Sequence, residues 1–120
     1  MNSETIRRVV QDKQLASLGD AFVNFVYSLA LTKRDGRPEA TKVSDRILSE
    51  AFREAGLREL LGSRLSRKDL ANGAESLLVD AYRRQLITID ECVSILSQDP
   101  LGPEVGLSAL LKLAAQRLAA

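Results

Sequence analysis

From about Gln14 to Lys33 the chain carries apolar side chains on nearly every face of a helix. A surface helix of a globular protein keeps a polar face, so this segment has to be enclosed by other helices or by a partner chain. Its most apolar run, Ala21 to Leu31, is broken by Asn24 and Ser28 and falls short of the roughly 20 residues that span a bilayer. No membrane partner is expected.

The rest of the 120 residues shows spaced apolar positions at helical period and no strand-like alternation. A first helix is predicted after Ser3 as N-cap, with Ile6, Val9 and Val10 on one side. The second helix ends in the turn-forming Arg34-Asp35-Gly36-Arg37-Pro38. A third runs from about Thr41 to Ala55 and stops at Gly56, followed by a short segment from Leu57 to Leu61. Ser66 caps a fourth that continues through Arg84. Thr88 caps a fifth over Ile89 to Ser97, stopped by Asp99-Pro100. Pro103 opens a last helix with Leu107, Leu110, Leu111, Ala114 and Leu118 on one face. The expected fold is all-α and compact, one domain over 1–120 in which 103–120 is an extra C-terminal helix.

The residue inventory narrows the chemistry. There is no histidine and one cysteine, Cys92, which excludes an intrachain disulfide, the usual Cys/His zinc sites, and Ser-His-Asp or Cys-His catalysis. Hydrolysis would have to run on carboxylates, lysine, or a hard cation such as magnesium or manganese. The first eight residues lack the apolar stretch of a secretory signal, so a cytoplasmic setting is expected. Net charge is only +1, yet Arg58, Arg64, Arg67 and Lys68 stand against the single acid Glu59, whereas the stretch from Leu86 onward is acidic. Either cluster also reads as a solvated face.

Two carboxylates are out of place. Asp20 sits among Leu18, Phe22, Val23 and Phe25, where a charge is costly unless paired, hydrogen-bonded or bound to a metal. Ser17, Asn24 and Ser28 share its side of the helix, so one wet stripe is the alternative reading. Glu75 lies in a similar apolar segment, Ala74 to Val79, with Asn72 one turn earlier. Gly19 beside Asp20 and Gly73 near Glu75 are mid-helix glycines, which cost stability unless a close approach repays them. Helices crossing at those glycines would bring the two acids together. Asp80, five residues on, reads as a surface or salt-bridge residue.

The segment Lys13-Gln14-Leu15-Ala16-Ser17-Leu18-Gly19-Asp20-Ala21 resembles the signature of the ribonuclease III family, approximately E-R-L-E-F-L-G-D followed by small and apolar residues. Ala71-Asn72-Gly73-Ala74-Glu75-Ser76-Leu77-Leu78-Val79-Asp80 is similar to the family's second motif, A-D-x-x-E-A-L-I-G-A. Order and separation suit the family, and the likeness covers about Gln14 to Leu96. In having an alanine at position 16, a retained Gly-Asp pair and the later glutamate, the chain is similar to Mini-ribonuclease III, the short bacterial branch without an RNA-binding domain.

The resemblance implies a ribonuclease III endonuclease-domain-like bundle, a homodimer, and magnesium-dependent hydrolysis of double-stranded or structured RNA. Asp20 and Glu75 would be catalytic and would hold the metal, with Asn72 as a neutral ligand and Arg58, Arg64, Arg67 and Lys68 contacting RNA. The family's acidic cluster is incomplete here: Lys13, Ala16 and Asn72 replace three acids. Two alternatives therefore stand, a non-catalytic RNA-binding or ribosome-associated dimer and a helical protein-interaction module.

Overall fold

The computed structural model describes residues 3–62, 64–98 and 102–120. They form α1 (Ser3–Val10), α2 (Lys13–Asp35), α3 (Asp45–Glu54), a 3-10 turn (Arg58–Leu60), α4 (Arg67–Arg83), α5 (Ile89–Ser97) and α6 (Pro103–Ala119), with no strand among the described residues. The all-α expectation holds.

Local chemistry sets most boundaries. The Ser66 hydroxyl accepts from the Asp69 amide while the Asp69 carboxylate accepts from the Ser66 amide, and Thr88 and Glu91 repeat the arrangement at α5. Pro103 is the first residue of α6, where its missing N–H costs nothing. Gly36 ends α2 and Gly56 follows α3 with left-handed φ of 75° and 77°, values that favour glycine. Two starts differ from expectation. Ser3 is already inside α1, and α3 begins only after Ser44, whose hydroxyl caps Ile47. The expected stop at Asp99-Pro100 lies outside the described residues.

The enclosed helix is α4, not α2. Residues Gly73 to Ala81 are buried without interruption, and α1, α2, α3 and α6 all pack on α4. Small residues on several faces (Ala71, Gly73, Ala74, Ser76, Ala81) let four helices approach one, a property that an apolarity count does not register. By contrast α2 packs on α4 and α5 through Phe22, Val23 and Val26 and leaves Leu18 and Phe25 half exposed. Of the two alternatives for α2, enclosure by the chain's own helices is met on one side only. At 23 residues α2 is also the one described helix long and apolar enough, by length and composition, to cross a membrane. Its inner-face packing and the polar contacts described below are those of a bundle helix. The last helix, α6, packs on α3, α4 and α5 of its own chain, with Leu107, Leu110, Leu111, Ala114 and Leu118 buried as expected.

Candidate active site

At the crossing of α2 and α4, a Cβ on Gly19 would lie 2.5 Å from the carbonyl carbon of Glu75 and 2.9 Å from its Cβ. Only glycine permits the helices to come this close, and the same contact sets Asp20 beside Glu75. The second glycine has a different reason. Gly73 makes room for the Phe52 ring of α3, 3.0 Å from where its Cβ would stand, and takes no part in the crossing.

The Glu75 side chain is almost fully buried. Its pKa is pushed up to about 8, first by burial, then by its hydrogen bond to the Asp20 carboxylate and by the negative charge there; Asp45 adds to the effect and Lys68 opposes it. At neutral pH Glu75 thus keeps a proton that it donates to Asp20. Asp20 is half-buried, and its Oδ1 also accepts from Asn24 Nδ2 at 3.2 Å. The two hydrogen-bonded carboxylates face each other, and among the described residues neither is ion-paired with a lysine or arginine.

The pair opens into a groove of about 810 Å³. Ala16, Ser17 and Asn72 line it near the acids, Ala16 leaving space where a longer side chain would reach in. Around them stand five cations: Lys13 from α2, Lys42 ahead of α3, Arg46 from α3, and Arg67 and Lys68 from α4. Lys68 lies 3.6 Å from Asp45, and Arg46 is 3.2 Å from Glu50 and 3.9 Å from Glu104. A second cavity of about 360 Å³ shares Lys13 and Asn72 with the groove and holds Arg64.

Asp20, Glu75, Asn72, Arg67 and Lys68, all singled out from the sequence, therefore meet in one groove. Arg64 adjoins it. Arg58 lines neither cavity; it is exposed on the 3-10 turn, where its neighbour Leu60 offers its carbonyl to Arg7. Lys42, Asp45 and Arg46 escaped sequence reasoning, because no local pattern says that this segment lies against α2. The expectation of a surface or salt-bridge role for Asp80 is half right. Its side chain is buried, and Arg84 Nε stands 2.7 Å away as an ion pair.

Among the described residues no three acidic, histidine or cysteine side chains gather in a metal-binding group. The donors on offer in the groove are the carboxylates of Asp20 and Glu75, with Asn72 nearby, and that of Asp45, which is paired with Lys68, all oxygen. That set suits a hard cation that retains waters and shares phosphate oxygens, and does not suit zinc. Cys92 is buried at the α5 packing face, with its thiol pushed up to about 12, so it adds no nucleophile.

No curated protein sequence matches the chain. A family model described as Ribonuclease III matches residues 13–117. Both carboxylates, the crossing glycine and every cation of the groove fall within that match, and the chain belongs to the ribonuclease III family.

Proposed function

We propose that this protein is a magnesium- or manganese-dependent endoribonuclease that hydrolyses phosphodiester bonds in double-helical regions of structured or precursor RNA, working as a homodimer in the cytoplasm. The observation that carries the reading is the convergence of Asp20 and Glu75, uncompensated by any bonded cation, at the base of a groove rimmed with lysine and arginine. Lining residues of both cavities include no aromatic side chain, whereas single-stranded RNA is usually held by stacking bases on aromatic rings. A duplex presents phosphates and 2′-hydroxyls, which lysine, arginine, Ser17 and Asn72 are suited to contact.

Asp20 and Glu75 would hold the cation, with Asn72 as a neutral oxygen donor. When bound, a divalent cation supplies Lewis acidity that neutralises phosphate charge and makes water more acidic, which a site without histidine otherwise lacks. Lys13, Lys42 and Arg67 would hold the RNA backbone in register. Glu75 has to give up its proton for this role, so metal binding releases it.

The half-exposed Leu18 and Phe25, seven residues apart on one face of α2, and exposed Tyr82 of α4, which stacks on Phe22 of α2, support the homodimer. An isologous interface would bury them. A buried, unpaired cysteine suits a reducing cytoplasm.

One observation favours the non-catalytic alternative. Lys13 and Ala16, which replace acids of the family signature, line the groove itself, so the loss of charge falls at the site. Incubating the purified protein with a long RNA duplex, with and without magnesium, beside Asp20→Asn, separates the two. Magnesium-dependent cleavage lost in the variant, with duplex binding retained, supports the enzyme. Duplex binding without cleavage under any divalent cation supports the non-catalytic dimer.

A further inference from the structure

Between Gly36 and Ser44 the chain has no helix, yet it is held along α2 by side chains spaced one turn apart. The Thr32 hydroxyl accepts from the Glu39 amide at 3.0 Å, while its one proton is shared between the Ser28 carbonyl at 2.9 Å and the Glu39 carbonyl at 3.2 Å. The Ser28 hydroxyl accepts from the Thr41 amide at 3.0 Å and donates to the Thr41 carbonyl at 3.1 Å. Asn24 Oδ1 accepts from the Val43 amide at 2.7 Å. Four helical residues rise about 6 Å and two extended residues about 6.6 Å, so alternate strap residues meet successive turns. The next position in the helical series is Asp20, and the next strap residues are Ser44 and Asp45, on the rim of the groove.

Asn24 is the rung that touches both sides. A carboxylate can only accept and an amide N–H can only donate, so the Asn24 amide group has one orientation that satisfies Asp20 and Val43 together. We propose that Asn24 is a positioning residue: it fixes the Asp20 carboxylate to the strap, so that the metal-holding acid and the wall carrying Lys42 keep one geometry. This inference rests on the metal-dependent reading above and names a residue that the family likeness did not supply. Partners that orient a ligand in this way are typically worth about 10- to 100-fold in metal affinity.

The test is a manganese titration of the intact protein followed by electron paramagnetic resonance, with no RNA and no turnover. Asn24→Leu and Thr32→Val each remove a rung, but only the first touches Asp20. The expected result is manganese binding weakened about tenfold in Asn24→Leu and unchanged in Thr32→Val. In an Asp20→Asn background Asn24→Leu should cause no further loss. Asn24→Ser, whose hydroxyl is too short to bridge both partners, should match Asn24→Leu and is the variant to read if the leucine protein does not fold. Wild-type affinity in both Asn24 variants, or equal weakening by Thr32→Val, overturns the assignment while the metal site stands. A wild-type protein that binds no manganese overturns the metal reading and this inference with it.

Discussion

Helix α4 carries two buried carboxylates, Glu75 and Asp80, of nearly equal exposure at 4% and 7%. Asp80 faces Arg84 one turn later and has its charge answered within its own helix. Glu75 faces another acid across the α2 crossing, and its proton is held to about pH 8. Burial is therefore a poor marker of function in this chain. What distinguishes these two positions on α4 is that the fold sets an arginine against Asp80 and another acid against Glu75, leaving room there for a cation from outside.

The largest expected effect separates those two carboxylates by activity. Glu75→Gln keeps the shape of the side chain but removes a metal ligand, and should lower magnesium-dependent duplex cleavage by about a thousandfold, the several kcal/mol that such an ion supplies. Asp80→Asn should leave cleavage within about twofold of wild type, since the Asp80–Arg84 pair serves stability alone, and half-exposed Arg84 makes that pair worth about 0.5 kcal/mol. Single-turnover rates on one duplex check both. Equal losses would mean that the contrast has been drawn wrongly.

A second effect tests the crossing. Gly19→Ala forces α2 away from the Glu75 backbone and should destabilise the protein by about 2 kcal/mol, even after the better helix propensity of alanine is counted. Gly73→Ala meets only the edge of the Phe52 ring, which has to yield by a few tenths of an ångström, and should cost less than about 1 kcal/mol. Denaturant titrations give both values. A larger loss at Gly73 would move the critical approach from α2 to α3.

The third follows from the raised Glu75 pKa. Between the ordinary 4.5 and about 8 the folded protein holds a proton that the unfolded chain has released, so metal-free stability should fall as pH rises through that window. The slope is at most about 1.4 kcal/mol per pH unit and vanishes outside the window. Asp20→Asn should make the fall shallower, because burial alone then opposes ionisation. Thermal melts in a chelator, repeated with magnesium, measure it. Magnesium should restore stability most at the alkaline end.

Much of this was legible in the sequence, for local reasons. Ser66, Thr88 and Pro103 announce helix starts by chemistry that acts within one turn, and those starts are where they were expected. Asp20 and Glu75 stood out because a charge among apolar neighbours is expensive wherever the helix ends up. Nothing local could say that α4 rather than α2 is enclosed, since that depends on small residues admitting several neighbours at once. Ser28 and Asn24 were visible as a polar stripe, but their partners Thr41 and Val43 read as the start of the third helix and lie instead in the extended segment ahead of it. Nothing local shows that Lys42 in that segment, or Asp45 at the start of α3, lies on the groove. Arg58, grouped with Arg64, Arg67 and Lys68 by charge along the chain, is exposed on the 3-10 turn outside the lining of the groove.

The central claim, that Asp20 and Glu75 form one acid pair awaiting a cation, is tested most directly by following the Glu75 side-chain carboxyl by carbon-13 NMR across a pH titration. In metal-free wild type it should titrate at about 8, and it should move toward the ordinary carboxylate range in Asp20→Asn and on addition of magnesium. A Glu75 that titrates at 4.5 in the wild type, indifferent to Asp20 and to magnesium, would contradict the pair and the site built on it.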